Sequence, residues 1–117
     1  MAWSPLAGGY LTGKHLDRIK TEEEEVTRLN DSKSVFPIQV FKKLFYDQHH
    51  TEKNIAALKE LIVFAEKELE CSLTHLAIAW TIKFQYVNTA LIGARTVAQL
   101  EDSLKALPIV EKLTTEI

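Results

Sequence analysis

The chain has 117 residues, of which 46% are hydrophobic and 26% charged. That balance belongs to a globular domain rather than a disordered segment, and the length suits one domain, not two. A formal net charge of −2 offers no basic field to nucleic acid or to a membrane surface, and no apolar run approaches the roughly 20 residues of a spanning helix.

Met1 to Trp3 read as the end of a buried strand, and Pro5 stops it. A chain that opens inside a strand suggests a fragment or a misplaced start codon, and Met1–Pro5 lacks the basic start and apolar stretch of a signal peptide. Residues 6–14 hold three of the four glycines, Gly8, Gly9 and Gly13, which predicts a loop that bends sharply or comes close to something. Residues 15–34, with the run Glu22–Glu25, read as a long solvated loop. Phe41, Leu44 and Phe45 predict a helix over 38–48 with Pro37 at its start. Thr51 is placed to cap a helix over 52–69, whose apolar face is Leu58, Leu61, Ile62, Ala65 and Leu69. Ser72 caps a third helix over 73–84, built on Leu73, Leu76, Ala77, Trp80 and Phe84. Residues 87–92 read as a second buried strand, ended by Gly93. Thr96 and Gln99 have capping-box spacing before a helix over 97–106 with Val97, Leu100 and Leu104 on one face. Pro108 blocks its extension, and the tail to Ile117 has room for one more turn. The order is a helix-rich α/β alternation.

Two segments carry chemistry. Gly8 and Gly9 would turn backbone amides outward beside Lys14, which suits a phosphate or pyrophosphate. Gly93-Ala94-Arg95-Thr96 joins a strand to a helix start, where Arg95 adds a planar fork of donors. Each alone reads equally as a glycine turn with a surface cation. Both, however, follow a strand, and the loops after the strands of a βα barrel open on one face. His49-His50 lack a third ligand and read as a surface turn. Cys71, the only cysteine, reads as helix-end packing and fits a reducing, cytoplasmic location. Trp80, Phe41, Phe45 and Tyr46 read as core.

Trp3-Ser4-Pro5-Leu6-Ala7-Gly8-Gly9 with Leu11-Thr12-Gly13-Lys14 resembles the seventh strand and cofactor loop of the aldo-keto reductases. Ser72-Leu73-Thr74-His75-Leu76-Ala77-Ile78-Ala79-Trp80 resembles a helix of that family, with His75 where glutamine is usual. Leu91-Ile92-Gly93-Ala94-Arg95 with Gln99-Leu100-Glu101-Asp102-Ser103 resembles the eighth strand and the start of the adenosine-binding helix. These segments stand in family order across residues 1–104, and the tail Ile109–Thr114 is most similar to the voltage-gated potassium channel beta subunits.

The resemblance implies a fold that is the C-terminal part of a (β/α)8 TIM barrel, its last two strands and their helices, over residues 1–117. It implies NADP(H) as cofactor, with Trp3 on the nicotinamide and Ser4, Leu6, Gly9, Thr12 and Lys14 around the pyrophosphate. Arg28 would help close over the cofactor. Gly93, Arg95 and Gln99 would hold the adenosine and its 2′-phosphate, and Asp102 and Ser103 would reach the adenine side. An arginine there favours NADPH over NADH. The parent reaction is the reduction of aldehydes and ketones. Its tyrosine, lysine and aspartate lie on upstream strands, so no catalytic residue is assigned and the chain alone is expected to be inactive. The alternative is a non-catalytic, beta-subunit-like protein that partners a potassium channel alpha subunit or a larger assembly, with homo-oligomers also in view.

Overall fold

The computed structural model describes residues 1–18, 23–24, 27, 29–35 and 37–114; Glu22, Glu25 and the candidate Arg28 lie outside the described residues. Two short strands, β1 (Ala2–Trp3) and β2 (Ala90–Leu91), pair in parallel, with Ala2 opposite Ala90 and Trp3 opposite Leu91. A parallel pair needs a crossover, and here it carries three helices: α1 (Ile38–Lys42), α2 (Glu52–Glu68) and α3 (Leu73–Lys83). After β2 come α4 (Val97–Leu104) and α5 (Leu107–Lys112).

The helix boundaries follow local chemistry. Thr51 Oγ1 accepts from the Asn54 N–H at 3.3 Å and starts α2. At its far end Glu70 takes a positive φ of 53°, and the Cys71 N–H folds back to the Ala65 carbonyl at 3.0 Å. Lys112 Nζ donates to the Leu69 carbonyl at 3.3 Å, so α5 covers an end that α2 leaves open. Thr96 Oγ1 accepts from the Gln99 N–H at 3.1 Å and starts α4. Pro108 sits in the first turn of α5, where its missing N–H removes no helix bond. The helix expected over 38–48 forms in two parts, because α1 runs on into a wider π turn at Lys43–Asp47.

The core lies between α2, α3 and α5, with Leu58, Ala65, Leu69, Leu73, Leu76, Ile78, Ala79, Ile109 and Leu113 buried together and Tyr10 joining them from below. Cys71 is buried at the α2–α3 junction, where burial pushes its thiol up from the ordinary value. Several expectations need correction. Neither strand is buried: Trp3 is 65% exposed and Leu91 is also open, because a parallel strand is covered only when helices pack on both faces. Trp80 is not core; α3 turns Leu73, Leu76, Ile78 and Ala79 inward instead, and Trp80 lies tilted against Phe84, ring centres 6.4 Å apart, on the outside. The apolar face of α4 is open, with Val97 at 74% exposure. The loop after the glycines is not simply solvated, since His15, Thr27 and Leu29 are buried. Phe41 is core as expected, while Phe45 and Tyr46 are half-buried. Among the described residues no helix is long and apolar enough to cross a membrane.

Candidate functional site

The loop after β1 turns by an unusual route. Ser4 and Ala7 take positive φ of 53° and 49°, and Gly8, Gly9 and Gly13 follow at 66°, 100° and 83°. Left-handed backbone at two non-glycine residues is strain that surrounding structure has to hold, and it collects at binding sites. The result is a 3-10 turn over Ala7–Thr12. The Gly9 amide does not face outward as expected: it donates to the Leu6 carbonyl at 3.0 Å, because the left-handed pair closes the turn on itself. What Gly9 provides is space. A Cβ there would lie 3.1 Å from Lys14 Cε, so the lysine stem lies across the bare backbone. Thr12 Oγ1 donates to the Gly9 carbonyl at 2.6 Å and accepts from the Lys14 N–H at 3.3 Å, which fixes the base of that stem. Gly8 is held from the other side, where a Cβ would meet the Phe45 ring at 2.8 Å.

The loop after β2 leads into α4. The Arg95 N–H donates to Gln99 Oε1 at 2.8 Å while Thr96 caps the helix, so the first turn is closed on itself. The Arg95 guanidinium donates to Asp31 Oδ2 at 2.6 Å. That hydrogen bond, aided by the Lys33 N–H, holds the Asp31 carboxyl below the ordinary aspartate value. The parallel register sets the two loops side by side.

Between them lies a cleft of about 510 Å³, lined by Trp3, Ser4, Leu6, Gly9, Thr12, Lys14, Gly93, Arg95, Gln99, Asp102 and Ser103. These are all the site residues expected from the sequence except Arg28, which lies outside the described residues; its neighbour Thr27 lines the same cleft. Thr74 of α3 also lines it, and Asp31 reaches it through Arg95. Sequence reasoning missed these three: Thr74 stood in a segment read only as a packing helix, and nothing in the spacing ties residue 31 to residue 95. The donor chemistry is a lysine laid over glycine backbone on one side and an arginine at a helix start on the other. That set suits a ligand with more than one phosphate, such as a dinucleotide.

His49 and His50 form a turn, as expected. Tyr10 Oη donates to the His49 carbonyl at 3.3 Å, and the His50 ring stacks on Tyr46 at 4.4 Å. Among the described residues no three His, Cys, Asp or Glu side chains gather in a way that would hold a metal ion.

A protein of Schizosaccharomyces pombe named "Putative voltage-gated potassium channel subunit beta" is 32% identical over 115 residues, which is 98% of this chain and 30% of the relative. The chain therefore spans about 30% of the length of this curated relative. The sequence pattern of the Aldo/keto reductase family matches residues 1–117. With the motifs in family order and the match running from end to end, the chain belongs to the aldo/keto reductase family.

Proposed function

We propose that this chain is the NADP(H)-binding C-terminal portion of an aldo-keto reductase-like oxidoreductase. In this reading, residues 1–117 are the last two strand–helix units of a (β/α)8 barrel, and the proton-donating side chains stand on earlier units. The observation that carries the reading is the meeting of two strand-exit loops in one cleft, each bringing a cation. Phosphates in such barrels bind after the last strands.

The residues fit the cofactor. Trp3 presents an open ring on the cleft wall, a flat apolar face for a nicotinamide. Lys14, laid over Gly9, would hold pyrophosphate charge. Arg95 and the start of α4 would hold the 2′-phosphate, with Asp102 and Ser103 on the adenine side. NADPH in this place supplies a hydride for an aldehyde or ketone.

Fluorescence titration with NADPH and NADH tests the proposal. NADPH should bind more tightly, and Arg95→Ala should weaken NADPH by about 10- to 100-fold, the scale of a charged hydrogen bond, while changing NADH little. Unchanged NADPH fluorescence at high protein concentration would overturn the reading.

A second reading is favoured by the relative's name. In it the chain is part of a non-catalytic, cytoplasmic protein that partners a potassium channel alpha subunit or a larger assembly, alone or as a homo-oligomer, with NADP(H) as a bound sensor. Co-purification with a channel subunit, without carbonyl reduction by the complete protein, would favour it.

A further inference from the structure

Helix α3 opens with a capping box whose third member is a histidine. Ser72 Oγ accepts from the His75 N–H at 3.2 Å, and the Ser72 N–H donates to His75 Nδ1 at 3.3 Å. A ring nitrogen that accepts a hydrogen bond carries no proton, so in the neutral ring the proton sits on Nε2. That nitrogen lies 3.1 Å from Asp102 Oδ1 on α4. One imidazole thus ties the first turn of α3 to a residue of α4 27 positions further along the chain, using both nitrogens. Its side chain is 12% exposed and that of Asp102 is 50% exposed, so the anchor is covered and the anchored group is open. Asp102 lines the cleft, and its neighbour Lys105 stands 3.9 Å from the same Oδ1.

An exposed carboxylate on a helix surface ordinarily samples several rotamers. Held at one oxygen, it presents the other in a defined direction. A carboxylate accepts hydrogen bonds and donates none, so a fixed one suits an exocyclic amine and disfavours a carbonyl oxygen at the same place. We propose that His75 is a positioning residue: it fixes Asp102 in the cleft wall so that the site takes a 6-amino purine nucleotide in preference to a 6-oxo one. This rests on the reading that Asp102 lies on the purine side of a bound dinucleotide.

Two ligands of equal charge test it, NADPH and its hypoxanthine counterpart, in which a 6-oxo group replaces the 6-amino group and N1 carries a proton. The protein in its native form should prefer NADPH by about 10-fold or more, the scale of one hydrogen bond to a charged group. His75→Glu keeps the capping box, since glutamate is a standard third member, but sets a like charge against Asp102. It should retain the fold, by circular dichroism, and bring the preference close to 1. His75→Gln can both accept from Ser72 and donate to Asp102, and should retain most of the preference. Nitrogen-15 spectra should show the His75 proton on Nε2 and a changed Nε2 signal in Asp102→Ala. A His75→Glu protein with an unaltered preference, equal binding of both ligands by the unmodified protein, or a proton resident on Nδ1 would each overturn the inference alone. Failure of the unmodified protein to bind either ligand would overturn the cofactor reading and this inference with it.

Discussion

The guanidinium of Arg95 is held by Asp31 in the same cleft where a phosphate would need it. The pair is also a bond between distant parts of the chain, so it carries a pH signature. The folded Asp31 carboxyl lies below its ordinary value, first through its hydrogen bond with Arg95. A depressed carboxyl contributes stability that is fully present above the unfolded value of about 3.9 and is lost as pH falls through the lower folded value. Amide protection factors of residues 29–34 should therefore hold down to about pH 4 and fall only on further acidification. Asp31→Asn should remove that acid step. An acid step of the same size in the variant would show that other groups carry it.

The helices were legible in the sequence because their caps and periods are local. Thr51, Ser72 and Thr96 each accept from the backbone three residues on, as their spacing implied. Which face of a helix is buried is not local, and there the reading failed. The run from Leu73 to Phe84 is apolar nearly all round, so spacing could not tell Ile78 from Trp80. The fold decides it by packing α5 and α2 against Leu73, Leu76, Ile78 and Ala79. Ile78→Ala should cost about 2–5 kcal/mol, the range for emptying a core position. Trp80→Ala should stay within about 0.5 kcal/mol, as for a surface change. Urea denaturation of the dilute chain compares them, and equal losses would contradict this packing. The candidate site was legible for the opposite reason. Glycines, Lys14 and Arg95 sit in short segments whose chemistry shows in sequence, whereas Thr74 and Asp31 join only through the tertiary fold.

At the scale of the molecule, the chain exposes 8100 Å², where a compact monomer of its mass would expose about 6,450 Å². Its radius of gyration is 14.4 Å, against about 13.4 Å for a compact domain of this length. Exposed apolar groups such as Val97, Leu100, Leu104, Leu107 and Trp80 contribute to the excess, as does a two-stranded sheet with open edges. The chain alone should bind an apolar dye and associate as its concentration rises, by light scattering. A monodisperse monomer that melts sharply and ignores the dye would contradict this.

The pairing of Ala2 with Ala90 has a consequence for the order of events in synthesis. The two walls of the cleft are made 88 positions apart. Closing so wide a loop is slow compared with forming the helices between. A growing chain thus carries finished helices long before it carries a binding site. Nucleotide affinity should arrive only once β2 and the loop after it are in place, which makes it a report on the joining of the two walls rather than on the folding of the helices between them.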